Sequence, residues 1–170
     1  MAFPINKQGG NSQQKRHSQQ LIASSPEETF AVGKELSARL SPGDVIALSG
    51  TLGSGKTQLT KGIASGLGIT ENLTSPTYTI VNEYFFTINN DQFSAGKENT
   101  FYHIDVYRLE NEKDFEDIGG DEILNSNGIC VIEWSERISN LLPPDCIKIS
   151  IKITGDSLRE ILITRIESCK

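Results

Sequence analysis

Residues 50–57 read GTLGSGKT, so that Gly50, Gly53 and Gly55 lead directly into a lysine and a threonine. A loop that turns several backbone N–H groups onto one anion needs glycine, because a Cβ obstructs the required conformations. Lys56 adds a mobile cation able to reach terminal phosphate oxygens, and Thr57 adds a hydroxyl, a hard ligand for Mg²⁺. A helix starting at this point also directs the positive end of its dipole at the same anion. The pattern therefore predicts a phosphate-cradling P-loop that holds ATP with Mg²⁺ through Thr51, Leu52, Gly53, Ser54, Gly55, Lys56, Thr57 and Gln58. No guanine-reading N/T-K-x-D motif follows residue 133, which leaves the choice between ATP and GTP open.

A carboxylate near the metal shell is expected at the end of a neighbouring buried strand. Glu133 fits, because it closes the apolar run Ile129-Cys130-Val131-Ile132 and is followed by Trp134. Both also have a plain structural reading, as a strand-end acid meeting solvent and a core aromatic. Asp105 ends a shorter run, in Tyr102-His103-Ile104-Asp105-Val106-Tyr107-Arg108-Leu109. In a parallel sheet such an end gathers on the same edge as the P-loop, although by itself Asp105 reads equally well as a solvated loop acid. His103 alternates with Asp105 and is more simply structural than catalytic. Arg108 could pair with phosphate or bridge a surface carboxylate. Thr74-Ser75-Pro76-Thr77 sets hydroxyls beside a rigid turn after the P-loop helix, the place of a nucleotide-sensing switch in P-loop enzymes and also ordinary turn chemistry.

These groups need a scaffold. Val45-Ile46-Ala47-Leu48 is a continuous apolar run, the signature of a strand buried on both faces, and it feeds the glycine loop. Leu59, Ile63 and Leu67 follow at helical spacing, predicting a helix from about Lys56 to the Gly66/Gly68 pair. Upstream, Ser25-Pro26-Glu27-Glu28 reads as a capping box opening a helix that carries Val32, Leu36 and Leu40 and stops at Ser41-Pro42-Gly43. Further strands are expected over residues 78–84, 101–104 and 129–132, with a short acidic helix between 112 and 118. Residues 146–153 and 158–166 read as two strands joined by the turn Thr154-Gly155-Asp156-Ser157. The expected fold is α/β: a three-layer α/β/α P-loop arrangement with a mostly parallel central sheet and antiparallel C-terminal edge strands. Residues 87–99 look like a polar surface loop.

The chain has 170 residues, 36% of them hydrophobic, which suits one ordinary domain with a real core. Residues 1–20 hold almost nothing apolar and read as a disordered tail, leaving 21–170 as the ATPase domain. A net charge of −6 argues against holding nucleic acid by the domain's own field. Three widely spaced cysteines, Cys130, Cys146 and Cys169, without a CxxC pair suit a reduced cytosolic protein. No apolar run reaches the roughly 18 residues needed to span a bilayer, so a cytoplasmic protein with no membrane partner is expected.

Four segments together, GTLGSGKT, SPTYTIVNEY, HIDVYRL and VIEWSERI, starting at residues 50, 75, 103 and 131, resemble the TsaE (YjeE) family of bacterial P-loop ATPases. The resemblance implies slow, partner-stimulated ATP hydrolysis that supports formation of threonylcarbamoyladenosine at position 37 of tRNA. It further implies action in a complex with TsaB and TsaD proteins, with tRNA met only through that complex. Matched residue by residue, Lys56 and Thr57 take the P-loop roles and Thr77 the switch position. Asp105 becomes the acid needed for hydrolysis, and Glu133 with Trp134 the strand-end pair by the nucleotide. Thr51 departs from the family, which usually has an acid there, and Ser135 stands where many members carry proline. Two other readings fit the P-loop alone: a small-molecule kinase, which would need an acceptor pocket, and an assembly scaffold that hydrolyses ATP negligibly.

Overall fold

The computed structural model describes residues 15–76, 78–87 and 97–167. The two most apolar segments set its centre. β2 (Val45–Ser49) and β5 (Ile129–Glu133) run parallel side by side, with Ala47 opposite Ile132 and Leu48 opposite Glu133. All of β5 is buried, as expected of a strand with both faces covered. β4 (Glu98–Asp105) extends the parallel set beyond β5, and β6 (Ile147–Ile153) extends it beyond β2. Antiparallel strands finish both sides: β3 (Val81–Thr87) on β4, then β7 (Arg159–Glu167) on β6 and β1 (Lys15–Ala23) on β7. The result is one seven-stranded mixed sheet, ordered β1-β7-β6-β2-β5-β4-β3.

Alternation along β2 divides the interior in two. Ile46 and Leu48 enter a core shared with α1 (Pro26–Ser37) and α2 (Lys56–Gly66). Val45 and Ala47 enter a second core with Phe115 of α3 (Glu112–Asp117) and Leu124 of α4 (Gly120–Leu124). Helices α1 and α2 meet backbone to backbone. A Cβ on Gly62 would collide with the carbonyl oxygen of Phe30, and one on Gly33 with that of Leu59. This seam presses α1 onto the helix that follows the glycine loop. No helix among the described residues is long and apolar enough to cross a membrane.

Several expectations change. Residues 15–20, read as part of a disordered tail, belong to β1, because pairing from Lys15 opposite Glu167 to Ala23 opposite Arg159 supplies through backbone bonds what the side chains lack. The C-terminal hairpin is therefore not the edge of the sheet, and its first strand is parallel to β2. The strand expected from residue 78 begins at Val81, since Tyr78 and Thr79 lie in a turn closed by Ile80 N donating to Pro76 O at 2.7 Å. Of the expected loop 87–99, Thr87 ends β3 and Glu98 and Asn99 begin β4, while residues 88–96 lie outside the described residues. Ser25 caps α1 by accepting from Glu28 N at 3.2 Å, but the Glu28 carboxylate binds Ser24 rather than returning to Ser25. A full capping box occurs instead at Asn111 and Asp114, opening α3. The expected tail over residues 1–14, and Cys169, lie outside the described residues.

Two predictions follow from the packing. Alanine is favoured over glycine inside a helix by about 1 kcal/mol, yet Gly62→Ala should lower stability, because overpacking of this kind costs about 1–3 kcal/mol. Thermal unfolding checks it, and an unchanged or raised midpoint would remove the seam from the account. Burial pushes the Cys130 thiol up to about 12, so Cys130 should resist alkylation at pH 8 in the folded protein and react once unfolded, as read by peptide mapping.

Candidate functional site

The chain leaves β2 at Ser49 and turns at once through Gly50, whose φ is 146°. A Cβ there would sit 2.5 Å from the Ile151 carbonyl oxygen and 2.8 Å from Ser54 Oγ, so only glycine passes this close to β6. Gly53 and Gly55 also take positive φ, 73° and 107°, and Gly55 is the N-cap from which α2 starts. The first turn of α2 therefore opens with free backbone N–H groups at the loop. Ser54 Oγ is fully buried there without a hydrogen-bond partner.

Lys56 is folded back on this loop and only 4% exposed. Its Nζ donates to the carbonyl oxygens of Gly50 (2.7 Å) and Thr51 (3.0 Å) and lies 3.7 Å from the centre of the Trp134 ring. Burial holds its ammonium below the ordinary lysine range, while the charges of Glu133, Glu136 and Asp105 draw it back up. Trp134 reaches it by a left-handed turn just after β5, with φ 61° and ψ 33°. Tyr107 lies against the indole with ring centres 4.8 Å apart.

The carboxylate ending β5 is held from two sides. Thr57 Oγ1 donates to Glu133 Oε2 at 2.9 Å, and His103 Nε2 meets Glu133 Oε1 at 2.8 Å. Register explains the convergence. Leu48 and Asp105 are both partners of Glu133 on flanking strands, so three strands end level with one another beside the loop. Asp105 is 4% exposed, accepts from Tyr107 N at 3.0 Å and from Ser75 Oγ at 3.1 Å, and its own N–H donates to Ile80 O at 2.9 Å. Among the described residues, the only non-glycine residues with positive φ are Ile80 and Trp134. Both adjoin the site, where strained backbone tends to concentrate.

A cleft of about 550 Å³ opens over these groups. Leu52, Gly53, Ser54, Gly55, Lys56, Thr57 and Gln58 line it, together with Asp105, Glu133 and Trp134. Thr51 does not line it and contributes its carbonyl to Lys56 instead. Thr77 lies outside the described residues. Among the described residues Arg108 is paired with no carboxylate and does not line the cleft, and it stacks on Tyr78, 4.2 Å from the ring centre.

Other lining residues escape a reading by motif. Ser25, Pro26 and Thr29 come from the start of α1, and Asp156, Ser157 and Arg159 from the turn between β6 and β7. Arg159 donates to the carbonyls of Leu158 at 3.2 Å and of Gly53 at 3.4 Å, bracing the turn against the loop. Ser25 and Pro26 carry the signal of a helix start, and Asp156 and Ser157 that of a turn, and these signals concern the local elements rather than the cleft.

The geometry has counterparts. The family model described as threonylcarbamoyl adenosine biosynthesis protein TsaE matches residues 23–161. The tRNA threonylcarbamoyladenosine biosynthesis protein TsaE of Bacillus subtilis is 46% identical over 141 residues, covering 83% of this chain and 82% of that one. Its namesake in Treponema pallidum is 39% identical over 142 residues, covering 84% and 97%. A crystal structure of YdiB from Bacillus subtilis superposes with a TM-score of 0.70 at 38% identity, covering 90% of this chain and 88% of that one. A match of this extent, over the strands, loop and helices that build the cleft, makes the chain a member of the TsaE family.

Proposed function

We propose that this protein binds ATP with Mg²⁺ in the cleft over its glycine loop and hydrolyses the nucleotide slowly. The cycle supports formation of threonylcarbamoyladenosine at position 37 of tRNA, in the cytoplasm, within an assembly containing TsaB- and TsaD-like proteins. The family and the names of its members support the tRNA pathway. Helices on both faces of a sheet whose central strands are parallel support a three-layer P-loop reading of the fold.

The observation that carries the nucleotide reading is the join between Thr57 and Glu133, directly below the loop. Two hard oxygen donors 2.9 Å apart fit Mg²⁺, which takes one or two protein oxygens and completes its shell from phosphate and water. Among the described residues no group of three or more His, Cys, Asp or Glu could hold a metal, and a magnesium–nucleotide site needs none. The orphaned, buried Ser54 hydroxyl and the open first turn of α2 suit an anion that supplies acceptors. When bound, the metal offsets charge on the terminal phosphates.

The remaining work falls to the chain's own groups. Lys56 exchanges the Gly50 and Thr51 carbonyls for phosphate oxygens. Thr57 keeps its hydrogen on Glu133 and presents a lone pair to the metal. Asp105, held by the Tyr107 N–H, orients the attacking water, and Thr77 serves as the switch hydroxyl. Arg159 is engaged with carbonyls of the loop and the turn, so a stimulating partner completes the site and raises a low intrinsic rate.

Two variants and a product assay test the reading. Lys56→Ala should abolish detectable Mg-ATP binding in calorimetry. Asp105→Ala should bind Mg-ATP normally and lose about 10²–10⁴-fold in turnover, the usual worth of a positioned acid–base group. ADP should form without any added acceptor, and an obligatory acceptor would point to a kinase instead. Because the chain has one tryptophan, withdrawal of Lys56 from its face should change the fluorescence on adding Mg-ATP. The same titration of Lys56→Ala should leave the emission flat.

A further inference from the structure

His103 stands apart from the rest of the core. It is fully buried at the middle of a parallel strand pair, opposite Val131, where an aliphatic residue would pack without needing any hydrogen bond. One ring nitrogen, Nδ1, has no partner there, a cost that a leucine would not incur. The other, Nε2, lies 2.8 Å from Glu133 Oε1. A carboxylate accepts and does not donate, so toward an ionised Glu133 the Nε2 side of the ring is the donor, whether or not Nδ1 also carries hydrogen.

We propose that His103 is a positioning residue, which fixes Glu133 so that Oε2 is presented to Thr57 and to the metal that Thr57 holds. The proposal rests on the Mg²⁺-nucleotide reading of the cleft and extends it to a residue that lines none of the cleft. The geometry is specific. Glu133 is 2% exposed and receives one donor on each oxygen, His103 on one and Thr57 on the other. Two donors on opposite oxygens fix the rotation of the carboxylate about its last bond. With Oε1 released, the carboxylate is free to turn toward the Lys56 ammonium, whose charge it already feels, and to leave Thr57. Partners of this kind behind a metal ligand orient it and tune its affinity. His103 thereby joins β4 to β5 one step behind the site, while Asp105, two residues further along the same strand, takes part from the front.

The experiment uses the full chain and ADP as the probe, with affinity measured by calorimetry without metal and then as a function of Mg²⁺. Two variants separate positioning from packing. In His103→Gln the amide nitrogen falls near the place of Nε2 and can still donate to Glu133. In His103→Asn it falls near the place of Nδ1 and cannot. The expected result is that His103→Asn binds metal-free ADP like the unaltered protein but needs roughly 10–100-fold more Mg²⁺ for half-saturation, while His103→Gln stays within about threefold of the unaltered protein. Equal Mg²⁺ dependence in the two variants would overturn the proposal, because packing alone would then account for His103. If His103→Asn does not fold, His103→Gln decides, and a tenfold or greater loss in Mg²⁺ response there counts against positioning. Absence of any Mg²⁺ effect in the unaltered protein would instead bring down the reading of the cleft, and this inference with it.

Discussion

Three parallel strands that stop at the same height govern everything at this site. Leu48, Glu133 and Asp105 are neighbours in register, so the chain leaving β2 must begin its glycine turn beside two strand-end acids. Had β5 slipped by one residue, Glu133 would point to the opposite face, and Thr57 would face a side chain of the other core. The uniform apolar character of β2 and β5 excludes that slip less through alternation than through depth. Only the ends of these strands can hold a charge, and Glu133 occupies an end that Thr57 and His103 reach.

Around this level the protein supports a loop that makes few side-chain contacts of its own. Beneath it, α2 is held to α1 by a glycine contact with no room for a methyl group. Thr29 of α1 would come within 3.3 Å of a Cβ at Gly55, so the same helix also backs the loop's last glycine. Arg159, from the far side of the sheet, ties the β6–β7 turn to the Gly53 carbonyl. The loop is thus held by neighbours distant in sequence, and within it the Ser54 N–H donates to the Thr51 carbonyl at 3.2 Å.

What could be read from the chain alone is what is encoded locally. The apolar runs of β2 and β5, the glycine loop and the start of α2 are contiguous strings, and Glu133 and Asp105 stand out because each ends such a string. β1 is not legible in the sequence because residues Lys15 to Gln20 carry almost no apolar signal; its place comes from backbone pairing with β7 at the other end of the chain. The onset of β3 differs from the expectation because Tyr78 and Thr79 suit a strand by propensity, whereas the left-handed Ile80 and the Pro76 carbonyl impose a turn. In sequence His103 is more simply structural, since nothing along the chain tells that Glu133, 30 residues away, faces it. The cleft walls from α1 and the β6–β7 turn are likewise tertiary, and Arg108 resolved into a stack on Tyr78 that pattern alone does not distinguish from an ion pair.

The tethered state of Lys56 sets a threshold for anything that enters. Its ammonium already holds two carbonyl oxygens and an aromatic face, and hydrogen bonds to a charged group are worth about 1.5–3 kcal/mol each. A visitor bearing a single anionic oxygen would return only part of what the lysine gives up. A chain of linked phosphates, contacting the loop amides and the ammonium together, can return all of it. On the proposed nucleotide reading, discrimination by valence follows from the contacts that Lys56 already makes, before any base is read.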